Sequence, residues 1–372
     1  YPLRRQRQMC IRDSFVFAHI LFRKPVPTFR DVLYILFMKK LFLLFACALF
    51  ASSIHVRAEE TSATCTTQGV NLLDGLDKKD PKLWEELRED TENIPNHKGI
   101  IWKIEKDGLP PSYLFGTIHL SDPRVMKLPD AAAKAYASAE TIVIEATDVL
   151  DQKALLRLKL EQPELMLFTD GSTLQSHMPP DRLAEITRKL EARGIVLGAV
   201  AKMKPWIVSS LLALPKCERE RKLRGEAFLD GQLAGDAEEE GRSVEGLETA
   251  AEQLGAMNKL PLDFHMRNLI ATADFGDAIE DTTETMIALY LQGETGMIMP
   301  ALRKIVPGDL TDEDYDLFQK VMLTDRNHIM AERAAPLLEK GGVFVAVGAL
   351  HLPGKEGLVE LLRDKGYRVT AM

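Results

Sequence analysis

Most of the signatures that would assign this chain a chemistry outright are missing. There is no His-Glu-x-x-His, no Gly-x-Ser-x-Gly, no P-loop and no Gly-x-Gly-x-x-Gly. Zincin, serine hydrolase, kinase and Rossmann oxidoreductase readings therefore lack their usual warrant. Cysteine is scarce, with 4 in 372 residues and no Cys-x-x-Cys pair; a cysteine-based zinc site has no support. No run after residue 58 approaches the roughly 20 apolar residues that span a bilayer. Linkers rich in Gly or Ser are absent, so nothing divides the body into modules. Basic charge is also short there. Residues 1–58 hold 10 of the 47 Lys+Arg but 2 of the 55 Asp+Glu, which leaves 37 basic against 53 acidic residues. An acidic body argues against nucleic acid as a partner, because such proteins carry a basic footprint.

The first residues read as upstream and targeting sequence. Arg4–Ser14 resembles translated adapter sequence, and residues 1–37 are expected to be non-native and are set aside. From Met38, Met-Lys-Lys gives a basic start, Leu41–Ala51 an apolar stretch, and Val56-Arg57-Ala58 a small-x-small cleavage site. Residues 38–58 are thus expected to be a signal peptide cleaved near Ala58, giving an exported, periplasmic or secreted protein. The apolar stretch is short for a membrane helix, so membrane contact is expected only through an uncleaved anchor. Leu44-Phe45-Ala46-Cys47 is a poor lipoprotein box because Phe45 is bulky. Past the leader only Cys65 and Cys217 remain. An even count in an exported chain predicts one disulfide, tying an N-terminal arm to the middle of the protein.

The feature that stands out occurs twice. Ser112–His119 reads SYLFGTIH and Val343–His351 reads VFVAVGALH; each is a β-prone run ending in Gly-x-x-His. Each is followed by a loop, a helix-like stretch (Asp130–Ala139, then Lys355–Lys365) and a second apolar run (Thr141–Glu145, then Tyr367–Thr370). Strand–loop–helix–strand is the sequence form of a parallel βαβ unit, in which ligands bind beyond the carboxyl ends of the strands. The expected architecture is α/β. Its central sheet is built from these two terminal units, preceded by the strand Ile100–Glu105 and the turn Asp107–Pro111. A mostly helical insert over about 150–340 covers the site, and residues 59–372 form a single domain.

His119 and His351 fall at equivalent strand ends, each three residues after a glycine, Gly116 and Gly348, that lets backbone pass closely. A lone Gly-x-x-His is usually a histidine bonding a loop carbonyl; its recurrence in one local context favours a shared site. Glu145 ends Thr141–Glu145, where a carboxylate is costly unless paired or metal-bound. Two imidazoles and a carboxylate are a credible ligand set for a divalent zinc, manganese or cobalt ion with an open position for water. Glu145 is either ligand or general base. Arg326 and Asn327 would steady a developing oxyanion, or simply belong to a solvated helix face. His328, about 100° away on a helix, is expected at the surface. Thr249 and Glu252 form a capping box, which leaves Glu248 unexplained; Asp230 is a weaker candidate. His97, His177 and His265 have no partner pattern.

These residues resemble the TraB/GumN family, which includes the Tiki proteins of animals and belongs to a wider erythromycin-esterase/ChaN-like superfamily. The resemblance covers nearly all of 65–372, through YLFGTIHLSDPRV, IVIEATD, KPWIVSSLLALPKCE, FLDGQLA, VEGLETAAEQL, DRNHIMAE and VGALHLPGKEGLVELLRDKGYRV. The family is described by two Gly-x-x-His motifs and a glutamate, which here fall on His119, His351 and Glu145. The resemblance implies a metal-dependent hydrolase, a peptidase acting on peptide or protein. It also agrees with a Cys65–Cys217 bridge. Two alternatives stay open: an envelope protein that binds haem or peptide without catalysis, and a metal-independent esterase using His119 and Glu145 as an acid–base pair.

Overall fold

The structure, a computed structural model, describes Cys65, 69–148, 151–305 and 310–372. The expected upstream segment and signal peptide lie outside the described residues. The protein is a mixed α/β molecule around one six-stranded sheet, ordered β4-β3-β5-β2-β1-β6. The strands are β1 (Ile101–Glu105), β2 (Ser112–Thr117), β3 (Thr141–Ile144), β4 (Ser243–Gly246), β5 (Val343–Gly348) and β6 (Arg368–Ala371). β4, β3, β5 and β2 run parallel, while β1 pairs antiparallel with β2 and β6.

The composition of β5 explains its central place. Val343, Phe344, Val345, Ala346 and Val347 are all buried, as expected of a parallel strand covered on both faces. Alternation sends Val343, Val345 and Val347 to one face, against the helices Asp325–Leu338 and Leu358–Asp364. Phe344 and Ala346 face the other side, against the helices Asp130–Ser138 and Leu229–Glu239. β4, an edge strand, is short and polar (SVEG), which suits an unpaired edge.

The two expected βαβ segments interleave rather than lie side by side. β5 enters between β2 and β3, and β6 crosses β2 and β1 to pair at the far edge. The helix after β5 begins at Leu358, later than the expected Lys355, because Pro353–Gly357 forms turns first. After Thr249 come the helices Ala250–Lys259, Leu262–Phe275 and Ala278–Leu291, with breaks at Pro261 and at Gly276 in positive φ. The helices Leu183–Ala192, Pro205–Leu212 and Leu262–Phe275 bury a core of their own around Ile186, Leu190, Val208 and Leu269. Between the helices Asp312–Phe318 and Asp325–Leu338 the chain makes a π-helical turn, Gln319–Thr324. The bridge Cys65–Cys217 is present, with Cα atoms 5.4 Å apart. No helix among the described residues is long and apolar enough to cross a membrane.

Candidate metal centre

Four adjacent parallel strands each deliver one side chain at their carboxyl ends. His119 lies two residues past β2 and Glu145 one past β3. His351 ends a single 3-10 turn after β5, and Glu248 lies two residues past β4. Ile118 and Leu120 sink into an apolar cluster with Val125, Ile287, Tyr290 and Ala349, which turns the intervening His119 the other way. The Tyr290 hydroxyl donates to the Gly116 carbonyl at 2.9 Å and pins the end of β2.

Glu145 is the hub. Its Oε1 lies 3.8 Å from His119 Nε2 and 3.7 Å from His351 Nε2, and accepts the Gly348 backbone N–H at 2.7 Å. Its Oε2 accepts from Arg326 Nη2 at 2.7 Å and from Gln253 Nε2 at 3.0 Å. Both glycines of the repeated motif are explained. A Cβ on Gly348 would sit 3.2 Å from Glu145 Oε1 and 3.4 Å from His119 Nε2. One on Gly116 would fall 2.7 Å from Leu352 Cδ1 and 3.0 Å from the Ala349 Cα.

Arg326 and Asn327 join the cluster, but their donors point to protein groups. Arg326 also grips Glu248, with bonds of 3.0, 3.0 and 2.6 Å, and donates to the Met322 carbonyl inside the π-helical turn. To meet a developing oxyanion it would have to leave one of its carboxylates. Asn327 Oδ1 lies 2.5 Å from His351 Nδ1, and its Nδ2 donates to the Glu356 carbonyl at 2.7 Å; this fixes the His351 ring. Glu248, unexplained by the capping box, is buried beneath Arg326, while Thr249 and Glu252 form the expected reciprocal cap. Asp230, rated lower from sequence, sits beside His119, with Oδ2 3.3 Å from Nδ1. His328 is exposed and pairs with Glu356. His97, His177 and His265 lie elsewhere.

The charges differ sharply within this small volume. Burial opposes ionisation of Glu145, but the neighbouring imidazoles, Arg326 and the Gly348 amide outweigh it and hold the carboxyl at about 2. Burial pushes His351 down to about 4 and keeps its ring neutral. For His119, whose side chain is 52% exposed, burial is outweighed by the Asp230 and Glu145 carboxylates, which lift it to about 9.

Among the described residues, no group of three or more His, Cys, Asp or Glu stands in the arrangement of a formed metal site. The donor chemistry nevertheless fits one. Ligands about 2.0–2.2 Å from a zinc-like ion lie roughly 3–4 Å from one another, and the two Glu145–His distances fall in that range. Both rings turn Nδ1 toward a polar protein side chain and leave Nε2 toward Glu145, as metal-ligating histidines do. Glu145, Glu248 and Asp230 stand against a single guanidinium, Arg326. In the metal-free protein His119, raised to about 9, compensates a second carboxylate; a divalent cation that displaced its proton would meet two uncompensated carboxylates.

This is an α/β protein with a two-histidine, one-glutamate cluster at the carboxyl edge of a parallel sheet. The chain belongs to the TraB/PrgY/gumN family, whose sequence profile matches residues 100–371. It is 26% identical to Metalloprotease TIKI2 of Danio rerio over 317 residues, covering 72% of this chain and 60% of that protein. It is likewise 26% identical to human Metalloprotease TIKI1 over 316 residues, covering 72% and 61%. The uncharacterized protein YbaP of Shigella flexneri is 24% identical over 255 residues, covering 68% and 88%. The chain thus spans about three-fifths of the length of the Tiki proteins it matches. No solved structure matches it.

Proposed function

We infer that this protein is an exported metal-dependent hydrolase acting on peptide or protein. His119 Nε2, His351 Nε2 and Glu145 Oε1 would hold one divalent ion, with manganese, cobalt and zinc as the candidates. The observation that carries this reading is the convergence of both imidazole Nε2 atoms on one oxygen of a buried, ionised carboxylate. Such an ion supplies a water made acidic enough to ionise near neutral pH, and polarises a carbonyl. The name metalloprotease carried by the Tiki relatives supports the peptide substrate.

The protein's own groups divide the remaining work. Glu145, held at about 2, is too weak a base to take a proton near neutral pH, which favours ligand over general base. Arg326 neutralises Glu145 and Glu248, and Asn327 holds His351. An oxyanion role for either would require a rearrangement when substrate binds. The half-exposed His119 and the buried His351 make the His119 side the approach for substrate. Helices of the segment between 151 and 338 would roof the site, apart from Leu229–Glu239 and Asp325–Leu338, which pack on the two faces of the sheet; the proposed single domain is residues 59–372, after a leader cleaved near Ala58. The Cys65–Cys217 bridge supports an oxidising, exported location.

A peptide-library digest tests this directly. Cleavage is expected that disappears with a chelator, returns on addition of Mn²⁺, Co²⁺ or Zn²⁺, and is absent in Glu145→Gln. Cleavage indifferent to chelator would instead support the esterase-like, metal-free alternative.

A further inference from the structure

We propose that Asp230 is a positioning residue for His119, holding the ring so that Nε2 stays turned toward Glu145. The proposal rests on the metal reading above and extends it to a residue outside the repeated motifs. Asp230 lies in the first turn of the helix Leu229–Glu239 and is 4% exposed. Its Oδ1 accepts from Thr117 Oγ1 at 2.7 Å. Thr117 ends β2, two residues before His119, so strand and carboxylate are locked to each other next to the histidine. That bond fixes which oxygen faces the ring. Oδ2 lies 3.3 Å from His119 Nδ1, short of hydrogen-bond alignment, and is buried with no hydrogen-bond partner. A buried acceptor without a partner is unfavourable, and a small swing of the half-exposed ring would satisfy it.

The arrangement mirrors the one at His351, where Asn327 holds Nδ1. The two supports come from opposite faces of the sheet: Asn327 from the helix over Val345 and Val347, Asp230 from the helix over Phe344 and Ala346. His351 is also locked by burial, at 3% exposure. His119 has less packing, with the edge-on ring of Phe228 at 5.4 Å on one side. The exposed ligand therefore depends more on its carboxylate than the buried one depends on its amide. A carboxylate on Nδ1–H also makes Nε2 a stronger donor to a metal.

The test compares the purified protein with Asp230→Ala, Asp230→Asn and Thr117→Val. Co²⁺ is titrated by absorption spectroscopy and by competition with an indicator dye, and thermal unfolding is followed without metal. Asp230→Ala and Asp230→Asn should weaken Co²⁺ binding roughly 10–100-fold and alter the visible spectrum, with metal-free unfolding little changed. Thr117→Val should produce a smaller loss in the same direction, and serves if Asp230→Ala fails to fold. Binding within about threefold of the parent in both Asp230 variants would overturn the proposal. A second readout needs no metal: in crystals of chelator-treated Asp230→Ala the His119 ring should be rotated or disordered. An unchanged, fully ordered ring would also overturn it. A parent protein that takes up no Co²⁺ would defeat the metal reading, and the ring pose alone would then decide what Asp230 does.

Discussion

The backbone N–H of Gly348 donates to Glu145 Oε1 at 2.7 Å, joining the ends of two adjacent strands at the hub of the cluster. The glycine is needed for space toward the donors, whereas Gly116 is needed for space toward the following loop of β5. Gly348→Ala should therefore weaken metal binding more than stability. Gly116→Ala should do the reverse, at about 1–3 kcal/mol, because its Cβ meets backbone as well as a side chain. Paired denaturant melts and metal titrations on the two variants check this; identical profiles would contradict it.

Arg326 is bonded to two buried carboxylates, Glu145 and Glu248. Removing one partner of a buried ionic cluster typically costs about 3–5 kcal/mol. Arg326→Ala should reach that range in denaturant unfolding. Adding Glu248→Gln should recover part of the loss by removing one uncompensated charge. A double variant less stable than the single one would show that Arg326 holds the fold in some other way.

The disulfide reaches the site through a chain of hydrogen bonds. Cys217 lies in the first turn of the helix Lys216–Leu223, whose Glu218 accepts from the Ser121 N–H at 2.9 Å and hydroxyl at 2.7 Å, two residues after His119. Arg221 bonds both Glu218 and the Cys65 carbonyl. The bridge closes a loop with a sequence separation of 152, for which chain entropy allows roughly 4–5 kcal/mol. Cys65→Ser/Cys217→Ser should lower the unfolding midpoint and also weaken metal binding. Unchanged metal affinity in the double variant would leave the bridge a stabilising role alone.

The shifted groups set a pH profile for the chelator-treated protein. His119 is raised to about 9, so its contribution is full below its ordinary value of 6.5 and fades as pH rises toward 9. His351 is lowered to about 4, so its contribution is full above 6.5 and fades as pH falls toward 4. That of Glu145 is lost between 4.5 and about 2. Stability should peak near pH 6.5, with a shallow alkaline limb because His119 is half open to solvent. The stability advantage of the parent over His119→Gln should be largest below pH 6.5 and shrink as pH rises toward 9. A difference that grows as pH rises from 6.5 to 9 would contradict the assignment.

What the sequence disclosed was local and repeated. Two strands ending in Gly-x-x-His, a carboxylate closing TIVIE and two cysteines beyond the leader could be read because each signal lies within a few residues. The insertion of β5 between β2 and β3 could not, because both segments read as complete βαβ units and long-range pairing leaves no local mark. Arg326 and Asn327 were visible as a polar pair on a helix, but their partners Glu248, Glu145 and His351 lie 24 to 181 residues away. Asp230 was ambiguous for the same reason: FLDGQLA looks like any helix start until the fold sets it beside Thr117. The π-helical turn at Gln319–Thr324 had no marker in composition or spacing.

The central claim is that His119, His351 and Glu145 hold one metal ion, and stoichiometric metal uptake tests it most directly. The purified protein, stripped and then incubated separately with Mn²⁺, Co²⁺ and Zn²⁺ at neutral pH, should retain close to one equivalent of at least one of them after gel filtration. His119→Ala, His351→Ala and Glu145→Gln should each lose it while remaining folded. A protein that stays metal-free with all three ions, or three folded variants that bind like the parent, would contradict the account.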